Sequence, residues 1–299
     1  MRTWLVLAAV LAVAAAAAAD GLRGSLRDRA SASPAPERRI VPPGAPTGLM
    51  GTVVYSDPGD ECRLHSLRLA GFTGSPPPKY RGCRFSLSPD GTAAAPEGSA
   101  WSPFGSLVAV PRPNGVALDF RSRETIVIPG RTPAFKPNGT LTQVRDGELV
   151  EWSTDCFPGQ RRKGCVHTVY HHAPRAVAWF SNSRFAAVLP RELVVVDDGR
   201  VIIHAELPRF RTASLELSPK RTFATLWLDG TLAGTFDSRG SPAPIAPVGA
   251  VTSLAWAPSE RWVMAATQGG SVFLLRPELG DARVRRLGVS ARDVAWAWR

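Results

Sequence analysis

One kind of phrase recurs along this chain: an apolar or aromatic strand end, a tight polar turn, then a second apolar strand. It reads "FSLSPDGTAAA" from Phe85, "AWSPFGSLVAV" from Ala100, "AFKPNGTLTQV" from Ala134, "AWFSNSRFAAVL" from Ala178, "LELSPKRTFATL" from Leu215 and "AWAPSERWVMAA" from Ala255. The turn positions Pro89, Pro103, Pro137, Asn182, Pro219 and Pro258 are separated by 14, 34, 45, 37 and 39 residues. Four of these five intervals suit a repeat of about 40 residues, the length of one four-stranded propeller blade. The 14-residue interval cannot hold four strands, so Pro89 and Pro103 are expected in one enlarged blade.

The rest of the text agrees. Past Met50, runs such as "GTVVYS", "GVALDF", "ETIVIPG", "ELVVVDDG", "RVIIHAEL" and "SVFLLRP" are short, rich in β-branched and aromatic residues, and broken by Gly, Pro, Asp and Asn. That is strand and turn chemistry, with no run of helical period long enough for a buried helix. The last segment, "DVAWAWR" from Asp293, repeats the lead-in "SLAWAP" of Ser253 to Pro258 but lacks the turn and strands that should follow. Those strands stand at the other end, in "GTVVYS", "RLHSLRLA" and "PPPKY", which lack a lead-in. The expected fold is therefore all-β: a β-propeller of about six four-stranded blades, with seven as the alternative. Its ring is closed by the C-terminal strand joining the N-terminal blade, so that no sheet edge is left free there. In the opening repeat, "RVRRLG" after Ala282 is the expected fourth strand, and Trp256 and Trp262 are expected to pack between blades.

"LSPDG" at Leu87 to Gly91, with the degenerate "WSPFG", "FKPNG" and "WAPSE", resembles the repeat of WD-like propellers typified by the periplasmic translocation protein TolB. The resemblance covers nearly all of the folded part and implies protein binding in the cell envelope. The small N-terminal domain that accompanies that propeller is absent from this sequence. The motif itself is a structural turn, because Pro presets φ and Asp or Asn with Gly suits the dihedrals that follow.

The N-terminus carries an address. In residues 1–19, Arg2 precedes an unbroken apolar run from Trp4 to Ala19, with A-x-A sites before Asp20, as in a signal peptide or a short signal anchor. Residues 20–48, rich in Pro, Ser, Ala and Arg, lack the apolar surface needed to offset ordering entropy and read as a disordered linker. The propeller occupies 49–299. The chain is thus expected to be exported, either anchored by its first segment or released after cleavage, and the membrane is contacted through that segment only.

Export governs how the four cysteines read. Cys62, Cys83, Cys156 and Cys165 are disulfide candidates. Of three possible connectivities, proximity favours Cys62 with Cys83 and Cys156 with Cys165. The second pair would staple "DCFPGQRRKGC" into a hairpin presenting Phe157, Arg161, Arg162 and Lys163 as a binding element. A zinc site is the rival, since His167, His171 and His172 lie nearby, but on a strand His167 and His171 would be about 13 Å apart, too far to share an ion.

The formal net charge of +11 would suit an anionic partner, yet only Lys79, Lys136, Lys163 and Lys220 are lysines and no dense basic run occurs. Export argues against nucleic acid. For an enzyme the signals are weak. There is no G-x-S-x-G elbow, and in "PDG" the Asp and Gly adjoin, unlike the Asp-x-Gly of sialidase boxes. The acidic clusters at Asp57, Asp60 and Glu61 and at Asp197 and Asp198 lie in polar turns. The expectation is a monomeric, non-catalytic binding or scaffold module without cofactor or metal, contacting an envelope protein or anionic polymer. The alternative is a propeller hydrolase or lyase acting on envelope glycans, with carboxylates drawn from distant blades.

Overall fold

The computed structural model describes residues 52–67, 77–120, 125–153, 164–243, 245, 248–276 and 285–297. The apolar segment 1–19 and the linker 20–48 lie outside them. Among the described residues there is no α-helix, only a 3₁₀ turn at Pro58–Asp60.

Among the described residues, twenty-four strands form sheets arranged around an axis. Blade 1 holds β1 (Thr52–Asp57), β2 (Arg63–Leu67) and β24 (Asp293–Ala297). Blade 2 runs through β5 (Ala100–Trp101), β6 (Leu107–Arg112), β7 (Gly115–Phe120) and β8 (Thr125–Ile128). Blade 3 has β9 (Arg131–Phe135), β10 (Leu141–Arg145), β11 (Glu148–Trp152) and β12 (Val166–Tyr170). Blade 4 has β13 (Ala176–Trp179), β14 (Arg184–Leu189), β15 (Glu192–Asp197) and β16 (Arg200–Glu206). Blade 5 has β17 (Ala213–Leu217), β18 (Phe223–Leu228) and β19 (Thr231–Asp237). Blade 6 has β20 (Val251–Trp256), β21 (Val263–Thr267), β22 (Ser271–Leu275) and β23 (Arg285–Ser290), so "RVRRLG" is its fourth strand. Between blades 1 and 2 stands a separate two-stranded hairpin, β3 (Phe85–Leu87) with β4 (Ala94–Pro96), whose β3 touches both β24 and β5. This hairpin takes up the short interval between Pro89 and Pro103.

Closure follows the expected scheme. β24 pairs antiparallel with β1, placing Val54 opposite Ala295 and Tyr55 opposite Val294. The described part of "PPPKY", residues 77–80, supplies no fourth strand to blade 1. Pro77 and Pro78 have no N–H to give a ladder, and only one isolated bridge joins Arg63 to Arg81.

Alternation of side chains across each strand explains the ring. On β14, Phe185, Ala187 and Leu189 face blade 3, while Ala186 and Val188 face blade 5. Both faces of each sheet are therefore apolar, as in strands covered on two sides. Seven hydrophobic clusters result, each bridging two neighbouring sheets. The lead-in tryptophans pin these interfaces. Trp179 donates from Nε1 to Thr142 Oγ1 of blade 3 at 2.8 Å, and Trp256 donates to Thr225 Oγ1 of blade 5 at 3.2 Å while stacking on Phe223. Trp262 and Trp296 are buried together where blade 6 meets blade 1.

The recurrent turn is equally physical. Ser88, Ser102 and Ser218 are buried, and each accepts from the backbone N–H five residues on, at 2.9 to 3.2 Å. The fourth turn residue closes a backbone bond and takes positive φ: Gly91 at 72°, Gly105 at 72° and Gly139 at 88°. In blades 5 and 6 the same position is held by Arg221 at 61° and Glu260 at 59°.

Candidate functional site

The inner strands β24, β3, β5, β9, β13, β17 and β20 enclose an axial channel of about 760 Å³. Its wall runs from Arg84, Glu97 and Asp293 near the strand starts to Pro89, Pro103 and Pro219 in the recurrent turns. The two ends differ in chemistry because each inner strand begins at a polar connection and ends on the turn motif.

At the first end, Asp293 opens the closing strand. Its Oδ2 accepts from Phe85 N at 2.9 Å, and its Oδ1 accepts from Ser253 Oγ and from Val294 N at 2.9 Å. One carboxyl thus ties β24 to β3 and β20. Burial pushes it up to about 6, although Ser253, the Phe85 N–H and Arg84 favour its charged form. Arg84 donates from Nη1 to Glu97 Oε1 at 3.1 Å and to Thr252 O at 3.4 Å, bridging the hairpin to blade 6.

Glu216, on β17, faces the same space. Water in the channel reaches it, yet protein surrounds it, and this enclosure with the nearby Asp293 charge pushes its carboxyl up to about 7. The indole N–H of Trp227 pulls in the opposite direction.

At the other end, Arg221 reaches back from its turn into the wall. Its Nη1 donates to Trp179 O at 2.6 Å and to Phe135 O at 3.3 Å, the last residues of β13 and β9. Loss of hydration lowers the guanidinium to about 10. On this turn face Phe104 is 62% exposed beside Gly139.

The residues singled out from sequence fall elsewhere. Cys62 and Cys83 form a disulfide with Cα atoms 4.6 Å apart. Cys165 is buried and disulfide-bonded, whereas Cys156, Phe157, Arg161, Arg162 and Lys163 lie outside the described residues. His167 is exposed on β12, His171 bonds Glu148 at 2.8 Å, and the ring of His172 lies against Tyr170. Among the described residues no three metal-ligating side chains converge. Of the acids expected in polar turns, Asp57 and Asp197 instead close the strands β1 and β15; Asp57 accepts from Gly59 N, Asp60 pairs with His65, and Asp197 is held low by its bond from Arg184.

Arg84, Glu97, Glu216, Arg221 and Asp293 were not singled out from sequence. Two carry a readable signal when the repeats are aligned. Glu216 is a charge inside the apolar lead-in "LELSP", and Arg221 stands where three other turns have glycine.

Fold and channel together define the class, a six-bladed β-propeller with an open axis. No family model and no curated protein matches its sequence. Among solved structures it is similar to the hydrazine synthase of Kuenenia stuttgartiensis, at 15% identity over 72% of this chain and 89% of that one, TM-score 0.48. It is also similar to the Cps50 (Swd1) β-propeller domain of Myceliophteria thermophila, at 14% identity over 83% and 91%, TM-score 0.49. Neither likeness bears on what this chain binds.

Proposed function

We propose that this chain is an exported, non-catalytic binding or scaffold module of a bacterial-type cell envelope, which contacts a protein or wall polymer through one face of its ring. The observation that carries the reading is the turn face, where an exposed Phe104 stands on the side to which the Pro89, Pro103 and Pro219 end of the channel belongs. Exposed aromatic anchors beside a concavity are characteristic of binding surfaces. The Cys62–Cys83 bond supports export, since structural disulfides persist in oxidising compartments. The TolB-like turn phrase "LSPDG" supports an envelope role by resemblance.

The test is capture from native envelopes and from a panel of wall polymers by the full chain and by Phe104→Ala. A partner held by the native chain and lost from the variant at unchanged melting temperature supports the reading. Equal capture by both variants removes the turn face from it.

A glycan hydrolase or lyase is the second reading, favoured by the raised Glu216 carboxyl, which could hold a proton near neutrality. Asp293 is a poor companion because both its oxygens are bonded within the fold. Polymer turnover by the native chain, abolished in Glu216→Gln, would establish catalysis in place of binding alone.

A further inference from the structure

Arg221 occupies a costly position. The fourth residue of its turn needs left-handed backbone, which glycine adopts freely in the turns at Gly91, Gly105 and Gly139 and which an arginine adopts at a cost of about 1 kcal/mol. Glu260, the other exception, accounts for itself, since its Oε1 accepts from Lys220 N at 2.7 Å and braces one turn against the next. Arg221 is explained only in part. Its Nη1 satisfies the two carbonyls of Phe135 and Trp179, whereas its Nε and Nη2 donors have no hydrogen-bond partner among the described residues. No carboxylate among them pairs with it either, although the guanidinium is half-buried in the channel wall. A desolvated cation with a fork of open donors is built to receive an anion.

We propose that the channel is a binding site for a carboxylate carried on a slender apolar chain, held by the open Nε and Nη2 donors of Arg221. The surroundings select this ligand class. Pro89, Pro103 and Pro219 give the turn end an apolar wall, and Phe135 and Trp179 flank the arginine. Arg84 and Arg175, which precede β3 and β13, stand with Glu97 and Asp293 at the opposite end of the channel, so among the described lining residues Arg221 is the one cation at the turn end and matches a monoanionic carboxylate better than a phosphate dianion. The proposal rests on reading the propeller as a binding module and names the chemistry of one of its ligands.

The experiment follows the arginine Nε–Hε resonances of the full chain, ¹⁵N-labelled at arginine, during titration with hexanoate, hexanamide, and an acetylated trialanine as free acid or as amide. Loss of one peak in Arg221→Lys identifies the resonance. The expected result is a saturable shift of that peak with the free acids only. Hexanoate alone would mark a small-acid ligand, and a tighter response to the peptide acid would mark a chain end. Arg221→Gly, which restores the glycine of three other turns, is expected to keep the melting temperature within a few degrees and to lose the response. Should that variant melt much lower, Arg221→Lys serves in its place, with hexanoate affinity read by tryptophan emission expected to fall about tenfold because lysine lacks the fork. No saturable shift, an equal response to the amides, or undiminished hexanoate affinity in the folded variant overturns the proposal. Envelope partners still captured in that event would leave the binding-module reading standing.

Discussion

Asp293 and Glu216 show how one charge differs from another in the same channel. Replacing Asp293 by Ala leaves the Phe85 N–H without its acceptor and the Ser253 hydroxyl with the Val294 carbonyl alone, so a loss of about 2–4 kcal/mol is expected in chemical denaturation. Glu216 makes no such clamp. Its folded-state pKa, like that of Asp293, lies above the ordinary value. Folding therefore favours the protonated forms. Their contribution is complete below the ordinary carboxyl range and is lost as pH rises through about 6 for Asp293 and about 7 for Glu216. Asp197, Asp229 and Glu148 are shifted downward and act oppositely, losing their contribution only as pH falls below that range. The melting temperature is thus expected to be higher near pH 5 than near pH 8. Glu216→Gln should flatten this difference and raise the value at pH 8 by a few degrees. A native profile flat between these pH values would contradict the enclosure argument.

Among elements, the hairpin β3–β4 is the most exposed to loss, having two strands where its neighbours have three or four. It is held by the Asp293 clamp, by the cluster of Val54, Leu64 and Phe85, and by the Cys62–Cys83 bond, which ties blade 1 to the segment entering β3. Closing a loop of this size with a disulfide contributes about 2–4 kcal/mol. Cys62→Ser with Cys83→Ser is expected to lower the melting temperature by roughly 5–10 °C while leaving the Trp179 and Trp256 environments intact in near-ultraviolet circular dichroism. The hairpin also shows where sequence falls short. The repeat phrase announced the turn at Pro89, but three-residue strands carry too little alternation to say that they form a sheet of their own. "PPPKY" looked like a strand by position alone, and its missing N–H groups were the better guide. Among the described residues blade 5 has three strands for a related reason: Pro242 follows β19 and makes an isolated bridge to Phe236.

Across the whole molecule, the period of about 40 residues, the closing strand and the packing role of the tryptophans were legible, because each repeat must bury both faces of its sheet against its neighbours. The channel was not. Its charged groups come from different repeats, and what sets them apart, enclosure by the ring, exists only once the ring is formed. Removing Asp293–Arg299 takes away the edge on which β1 pairs and the Trp296 that packs with Trp262. A melting temperature lower by more than 10 °C, or loss of the cooperative transition, is expected. An unchanged transition would contradict closure through this strand.

The direction of that seam has a mechanical consequence. β1 and β24 are antiparallel, and Thr52 lies opposite Ala297, so both chain ends leave the ladder at the same end. Tension applied between the two termini would load one pair of hydrogen bonds at a time and peel the strands like a zipper, whereas shear would load the whole ladder at once. β1 would keep its pairing to β2 as this happened, and β2 would stay tethered through the disulfide. The ring is thus a latch that yields first, and gently, to a pull on its ends.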